Sequence, residues 1–131
     1  MPITITYLED NGVFLRGHGR ISFDDVLELN SIRYASPAMI KNLRYQLCDL
    51  SEVTEIALNS QEVAKVAWLD VEAAKHNPEM LMAVVGEQDL VFGLIRMWEL
   101  YAESIHVKSG SFRTVEDARK WLNESQTLES D

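Results

Sequence analysis

The sequence predicts an α/β domain on a mixed, mostly parallel sheet of about five strands, opened by an antiparallel hairpin and covered by four helices. Three observations carry this expectation. The N-terminal residues alternate apolar side chains with Thr at a period of two and then meet a turn. Two later runs, one of them continuously apolar and the other apolar enough, read as strands covered on both faces. The stretches around them repeat their apolar residues at helical spacing.

Taken in order, ITITYL at 3–8 alternates as a half-buried strand does, EDNG at 9–12 reads as a turn, and VFLRGHG at 13–19 resumes extended structure. His18 lies between Gly17 and Gly19, whose missing side chains admit close backbone approach, and reads as a strand-end residue at a bend or as a ligand contact. In SFDDVLELNSIRYAS, Ser22 is placed to cap a helix. Asp24, Asp25 and Glu28 sit near its positive end, and Phe23, Val26, Leu27 and Leu29 are expected to face inward. Pro37 ends that pattern, and SPAMIKN reads as a loop. LRYQLCDL at 43–50 is a strand buried on both faces, which puts Cys48 in the core.

From Asn59 or Ser60, a second helix carries Val63, Val66, Ala67, Val71 and Ala74 at helical spacing, and Asn77-Pro78 closes it. EMLMAVVG at 79–86 is too short for a typical helix and reads as a central parallel strand. DLVFGLIRMWELYAES then forms a third helix with Asp89 as its cap, and one short strand lies within IHVKSGSFRT. TVEDARKWLNES ends the fold, with Thr114 capping and Val115, Ala118, Trp121 and Leu122 inward. The acidic residues 124–131 read as a flexible tail beyond a domain spanning 1–123.

Length and composition agree with this architecture. A chain of 131 residues makes one domain with a substantial core, and 47% hydrophobic with 25% charged residues is a globular composition. Neither a repeat nor a low-complexity linker supports a second domain. Twelve Lys and Arg against 21 Asp and Glu leave a net charge of −9, which repels nucleic acid and anionic membranes and favours a basic or neutral partner. The one cysteine has no internal disulfide partner, and no apolar run resembles a signal peptide or a membrane span. A cytoplasm of bacterial type, with no integral membrane association, is the expected location.

The chemistry-bearing residues form no catalytic pattern. His18, His76 and His106 fall in different elements without an i, i+4 partner, so no metal site is expected. GHGR lacks the phosphate-loop spacings, no G-x-S-x-G elbow occurs, and no cofactor is expected. Cys48 has no sequence-adjacent base, while Asp24-Asp25 and Glu116-Asp117 sit in first turns where the helix dipole accounts for them. With no catalytic residue to name, the sequence reads as a non-enzyme.

The third helix is richer in apolar residues than one sheet face requires. Leu90, Leu94, Met97, Trp98 and Tyr101 make one stripe, Val91, Ile95 and Ala102 widen it, and Phe92 lies near Arg96 and Glu99 on the remaining side. Trp68 stands off the inward stripe of the second helix. Trp68, Phe92, Met97, Trp98 and Tyr101 are therefore the candidate surface for a protein partner, for a second copy in a homodimer, or for the mouth of an apolar pocket.

Element order, length, the DLSEVTEI stretch at 49–56 and the ending VFGLIRMWELYAESIHVKSGSFRTVEDARKWL together resemble the SpoIIAA-like (STAS) family of anti-sigma factor antagonists. A closer likeness is to bacterial relatives within it ending in F-R-x-x-E-x-A-x-x-W-L, carried here by Phe112, Arg113, Glu116, Ala118, Trp121 and Leu122. The resemblance implies one SpoIIAA-like domain and a regulatory, protein-binding role. Its fold is shared with lipid-carrying domains of the Sec14 type, which makes a small-molecule or lipid-binding module the second class. In the family a serine at the start of the helix after the third strand is the phosphorylation switch, and that position falls on Asn59, which has no hydroxyl. Asn59 can cap the helix with Glu62 returning the bond, and Ser60 and Ser51 are the remaining phosphorylation candidates.

Overall fold

A computed structural model describes residues 2–103 and 107–130, with the side chains of the last helix described as far as Gln126. His106 lies outside the described residues. The elements run β1 (Ile3–Tyr7), β2 (Gly12–Ser22), α1 (Phe23–Arg33), α2 (Pro37–Lys41), β3 (Tyr45–Ala57), α3 (Ser60–Ala74), β4 (Leu81–Val85), α4 (Asp89–Glu103), β5 (Ser109–Phe112) and α5 (Val115–Ser130). The five strands lie in sequence order, with β1 antiparallel to β2 and every later pair parallel. The expected mixed sheet is present. The helix count is five rather than four: Pro37 starts the short α2 inside the stretch read as a loop, because a proline at a first helical turn gives up no hydrogen bond.

The opening hairpin turns through Asn11 at φ 66, where a short polar side chain tolerates the left-handed region. Leu8 and Gly12 close the turn by a 2.9 Å backbone bond, and the Tyr45 hydroxyl donates to Asp10 Oδ2 at 2.7 Å, tying the turn to β3. Gly17 and Gly19 do not end β2. The strand continues to Ser22 through two register shifts against β3, and Gly19 supplies φ 68 at the second. A strand of 11 residues can bend there without losing its partner, which a bulge permits. His18 is exposed on this bent segment.

Strand β3 is longer than the apolar run that announced it, because DLSEVTE remains paired along the bent part of β2. It is also the centre of the sheet, with β4 one place from the edge. Its alternation serves two cores. Tyr45 and Leu47 face a cluster with Leu81, Ala83, Val85, Ala118 and Leu122 under α5. Cys48 and Leu50 face the larger cluster under α1, α3 and α4, to which Leu15, Leu29, Val63, Ala67, Val91, Ile95 and Trp98 belong.

Three of the four expected caps are present, while Asp89, expected to cap α4, is instead its first helical residue with Gln88 before it. Ser22 and Asp25 form a reciprocal capping box on α1, Asn59 and Glu62 form another on α3, and Thr114 Oγ1 accepts from the Asp117 N–H at 3.1 Å. The Asn59 box joins Oδ1 to the Glu62 N–H at 2.8 Å and Glu62 Oε1 to the Asn59 N–H at 2.9 Å. Asn59→Ala is expected to lower stability by about 1 kcal/mol. Urea unfolding checks this, and an unchanged midpoint would count against the cap.

Two inward assignments need correction. Leu27 is exposed while Leu29 is buried and Val26 partly so, which places the buried edge of α1 over β2 along 26, 29 and 33. The buried stripe of α4 is Val91, Ile95, Trp98 and Ala102, with Leu94 and Met97 at its flank, while Leu90 is 86% exposed. The last helix runs to Ser130, past residue 123 where the sequence reading starts the tail. Among the described residues no helix is long and apolar enough to cross a membrane.

Candidate functional site

Between the sheet and α1, α3 and α4 lies a cavity of about 130 Å³, comparable to the roughly 150 Å³ apolar voids that admit a benzene molecule. Each wall comes from a separate element: Leu15 and Ile21 from β2, Cys48 from β3, Val63 and Val66 from α3, and Trp98 from α4. Half-buried Val26, Ile56 and Leu58 supply the outer rim. β-Branched and aliphatic side chains form these walls because the same alternation that faces β2 and β3 toward α3 faces them into the gap beside α1.

The inner end is polar. Arg33 from the last turn of α1 and Asp70 from α3 are 6% and 2% exposed and pair at 3.0 Å. Asp70 Oδ1 also accepts from the Tyr34 hydroxyl at 2.7 Å, and Oδ2 accepts from Trp98 Nε1 at 2.8 Å. Arg33 Nη1 donates to Gln46 Oε1 at 2.7 Å and Nε to Asn30 Oδ1 at 2.9 Å. Gln46 Nε2 completes the set by donating to the Tyr34 hydroxyl at 3.0 Å. One buried negative charge therefore meets one buried positive charge, and both carboxylate oxygens of Asp70 are occupied. Burial opposes the charge on Arg33, but the fields of Tyr34 and Asp70 outweigh it and raise its pKa. Burial likewise pushes the Tyr34 phenol well above its ordinary range.

Cys48 is the one nucleophilic side chain among the residues lining the cavity. Burial pushes its thiol up to about 12 from 9.0; the nearby Arg33 charge opposes this, and Asp70 and Asp49 add to it. At neutral pH it is a protonated, unreactive thiol. The unfolded chain loses this proton near 9.0 while the folded chain keeps it to about 12, so stability falls as pH rises across that window. Cys48→Ala is expected to flatten this alkaline decline relative to the parent, measured as urea midpoints at stepped pH; identical declines would refute the raised thiol.

The five side chains singled out from the sequence do not share one environment. Trp98 is 7% exposed and lines the cavity, and Met97 packs beside it against the core. Trp68 and Tyr101 are exposed on α3 and α4. Phe92 is half-buried beneath the Arg113 guanidinium, 4.1 Å from its ring centre, and Arg113 is anchored to Asp89 at 2.8 Å. Ser60 is exposed at the first position of α3, and Ser51 lies in β3 with its N–H donating to Asp49 Oδ1. Among the described residues no three His, Cys, Asp or Glu side chains are grouped to hold a metal ion.

Sequence reasoning passed over Arg33, Tyr34, Gln46 and Asp70. The usable signal was Asp70, an acid on the apolar stripe between Val63, Ala67, Val71 and Ala74, because a charge at an inward helix position must find a partner. Gln46 within an apolar strand gave the same hint.

This arrangement, a central mixed sheet with one helix on one face and the remaining helices on the other, is the SpoIIAA-like (STAS) fold. The solved structures it resembles include the anti-sigma factor antagonist SpoIIAA in its unphosphorylated form, with a TM-score of 0.62 over 95% of this chain and 97% of that one at 4% identity. The Bacillus cell fate determinant SpoIIAA in its phosphorylated form gives 0.59 over 92% and 98% at 8% identity. At such identities the likeness establishes the fold. No protein-family model and no curated protein sequence matches the chain.

Proposed function

We propose that the chain is a non-catalytic regulatory domain that acts by binding, and that it works without a phosphate at the head of α3. The observation carrying this reading is Asn59, whose side-chain oxygen and backbone N–H are both committed to Glu62; the sequence resemblance assigns the switch serine of the antagonists to this position. An amide there caps the helix permanently, whereas a serine can be capped or phosphorylated. Two solved neighbours were captured in unphosphorylated and phosphorylated forms, so the fold itself accommodates such a switch. The non-catalytic part of the reading is supported by the cavity's own polar groups, which are committed to one another, and by the protonated Cys48.

The recognition surface on this reading is the outward side of α3 and α4, where Trp68 and Tyr101 stand exposed. The partner is a protein, with a second copy of the chain as one candidate. Incubation with cytoplasmic lysate and ATP followed by intact-mass analysis is expected to leave the protein unmodified. A phosphate on Ser60 or Ser51 would overturn the proposal. Light scattering of the parent and Trp68→Ala then tests self-association, and identical masses would remove Trp68 from a homodimer contact.

A second reading is favoured by one specific feature, the cavity: the domain binds a small molecule there, in the manner suggested by the lipid-carrying relatives of the fold. The two readings are compatible, since a ligand beneath α1, α3 and α4 would act on the same helices that carry the exposed surface.

A further inference from the structure

We propose that the cavity beneath α1, α3 and α4 is a site for a small uncharged apolar molecule, the size of a substituted benzene or a short alkyl chain, and that it discriminates against charged head groups. This rests on the small-molecule reading above and specifies its ligand.

The size follows from the volume. A space of about 130 Å³ is close to voids known to stay dry and take benzene, and too small for a folded lipid tail or a nucleotide. The apolar character follows from the walls, where Leu15, Ile21, Val63, Val66 and Trp98 leave water little to bond.

Discrimination against charge follows from the polar end. Asp70 and Arg33 neutralise each other at 3.0 Å, Tyr34 and Trp98 donate to the two oxygens of Asp70, and Gln46 Oε1 accepts from Arg33. A carboxylate entering the cavity would draw on the same guanidinium and set a second buried negative charge beside Asp70, with one counter-charge between them. An ammonium would meet a carboxylate whose two oxygens already hold three donors. A neutral ligand disturbs none of these bonds, and it gains from the apolar area it removes from water.

Entry is provided between α1 and α3. The direct hydrogen bonds between these two segments lie at the C-terminal end of α1, from Arg33 and its cap residue Tyr34 to Asp70. Val26, farther toward the start of α1, is half-buried and lines the cavity together with Leu58 and Val66.

The test uses the full chain with toluene and 1-hexanol as neutral probes, and hexanoate and hexylammonium as charged probes of matched size, at pH 7. Each neutral probe is expected to raise the Tm in a dose-dependent way, as a ligand that binds only the folded chain does. Hexanoate and hexylammonium are expected to bind at least about ten-fold more weakly, a difference corresponding to about 1.4 kcal/mol. Val66→Phe fills the rim and should abolish the Tm shift; if that variant does not fold, Leu58→Phe serves the same purpose. If a charged probe binds as tightly as its neutral counterpart and both respond to the rim variant, the charge discrimination is wrong while the site survives. If no probe shifts the Tm, or the shift persists in a folded rim variant, the site itself is wrong.

Discussion

Asp70→Ala is expected to destabilise the domain by about 3–5 kcal/mol, read as a lower urea midpoint with an unchanged slope. The carboxylate is 2% exposed and receives donors from Arg33, Tyr34 and Trp98. Its removal strands a guanidinium that is itself 6% exposed, and a buried charge without a partner is among the costliest features a core can hold. The pair as a whole is not expected to stabilise the fold nearly so much, because separating both ions from water offsets their attraction. A double variant, Arg33→Met with Asp70→Leu, should therefore regain most of what Asp70→Ala loses. If Asp70→Ala alone stays within about 0.5 kcal/mol of the parent, the ion pair is not buried as described.

Trp98→Ala is expected to cost about 3–5 kcal/mol, and Trp68→Ala less than about 0.5 kcal/mol, although the sequence places both in one candidate surface. Trp98 is 7% exposed, packs in the larger core and gives its Nε1–H to Asp70, so truncation removes apolar contact and one donor to a buried carboxylate together. Trp68 is 51% exposed and loses little that water does not replace. Because Trp98 and Asp70 share a hydrogen bond, combining their alanine variants should cost less than the sum of the two, which a double-mutant cycle measures directly. Near-equal losses for the two tryptophans would contradict the placement of α4.

The contrast between these tryptophans marks the boundary between what periodicity fixes and what packing fixes. For α3, Val63, Ala67, Val71 and Ala74 define a stripe with polar residues opposite, so the inward face was legible and Trp68 was correctly set off it. Helix α4 carries apolar residues over a wide arc, and the expected stripe was set about one position away from the face that packing buries. Its rotation is fixed by partners remote in sequence. Trp98 reaches Asp70 across 28 residues, and Glu99 accepts from the Ser111 hydroxyl at 2.7 Å on the other side. That rotation buries Val91 and Ile95 and leaves Leu90 in solvent, against the expected stripe.

The cavity was hidden for a related reason. Its walls come from β2, β3, α1, α3 and α4, and no local pattern states how far apart two helices will sit on a sheet. Only the gap left by α1, tied to α3 by Arg33 and Tyr34 at its C-terminal end, turns ordinary core side chains into a lining.

By itself the sequence determined the elements that depend on neighbouring residues: the alternating hairpin, the strands buried on both faces, the Ser22, Asn59 and Thr114 caps, and the mixed sheet those elements assemble. These are set by backbone sterics and local hydrogen bonds, which act over a few residues. The tertiary structure alone decided the rotation of α4, the continuation of β3 along a bent β2, and the meeting of Arg33, Gln46, Asp70 and Trp98. Those features arise where a buried charge or donor must find its complement, and the complement lies far along the chain.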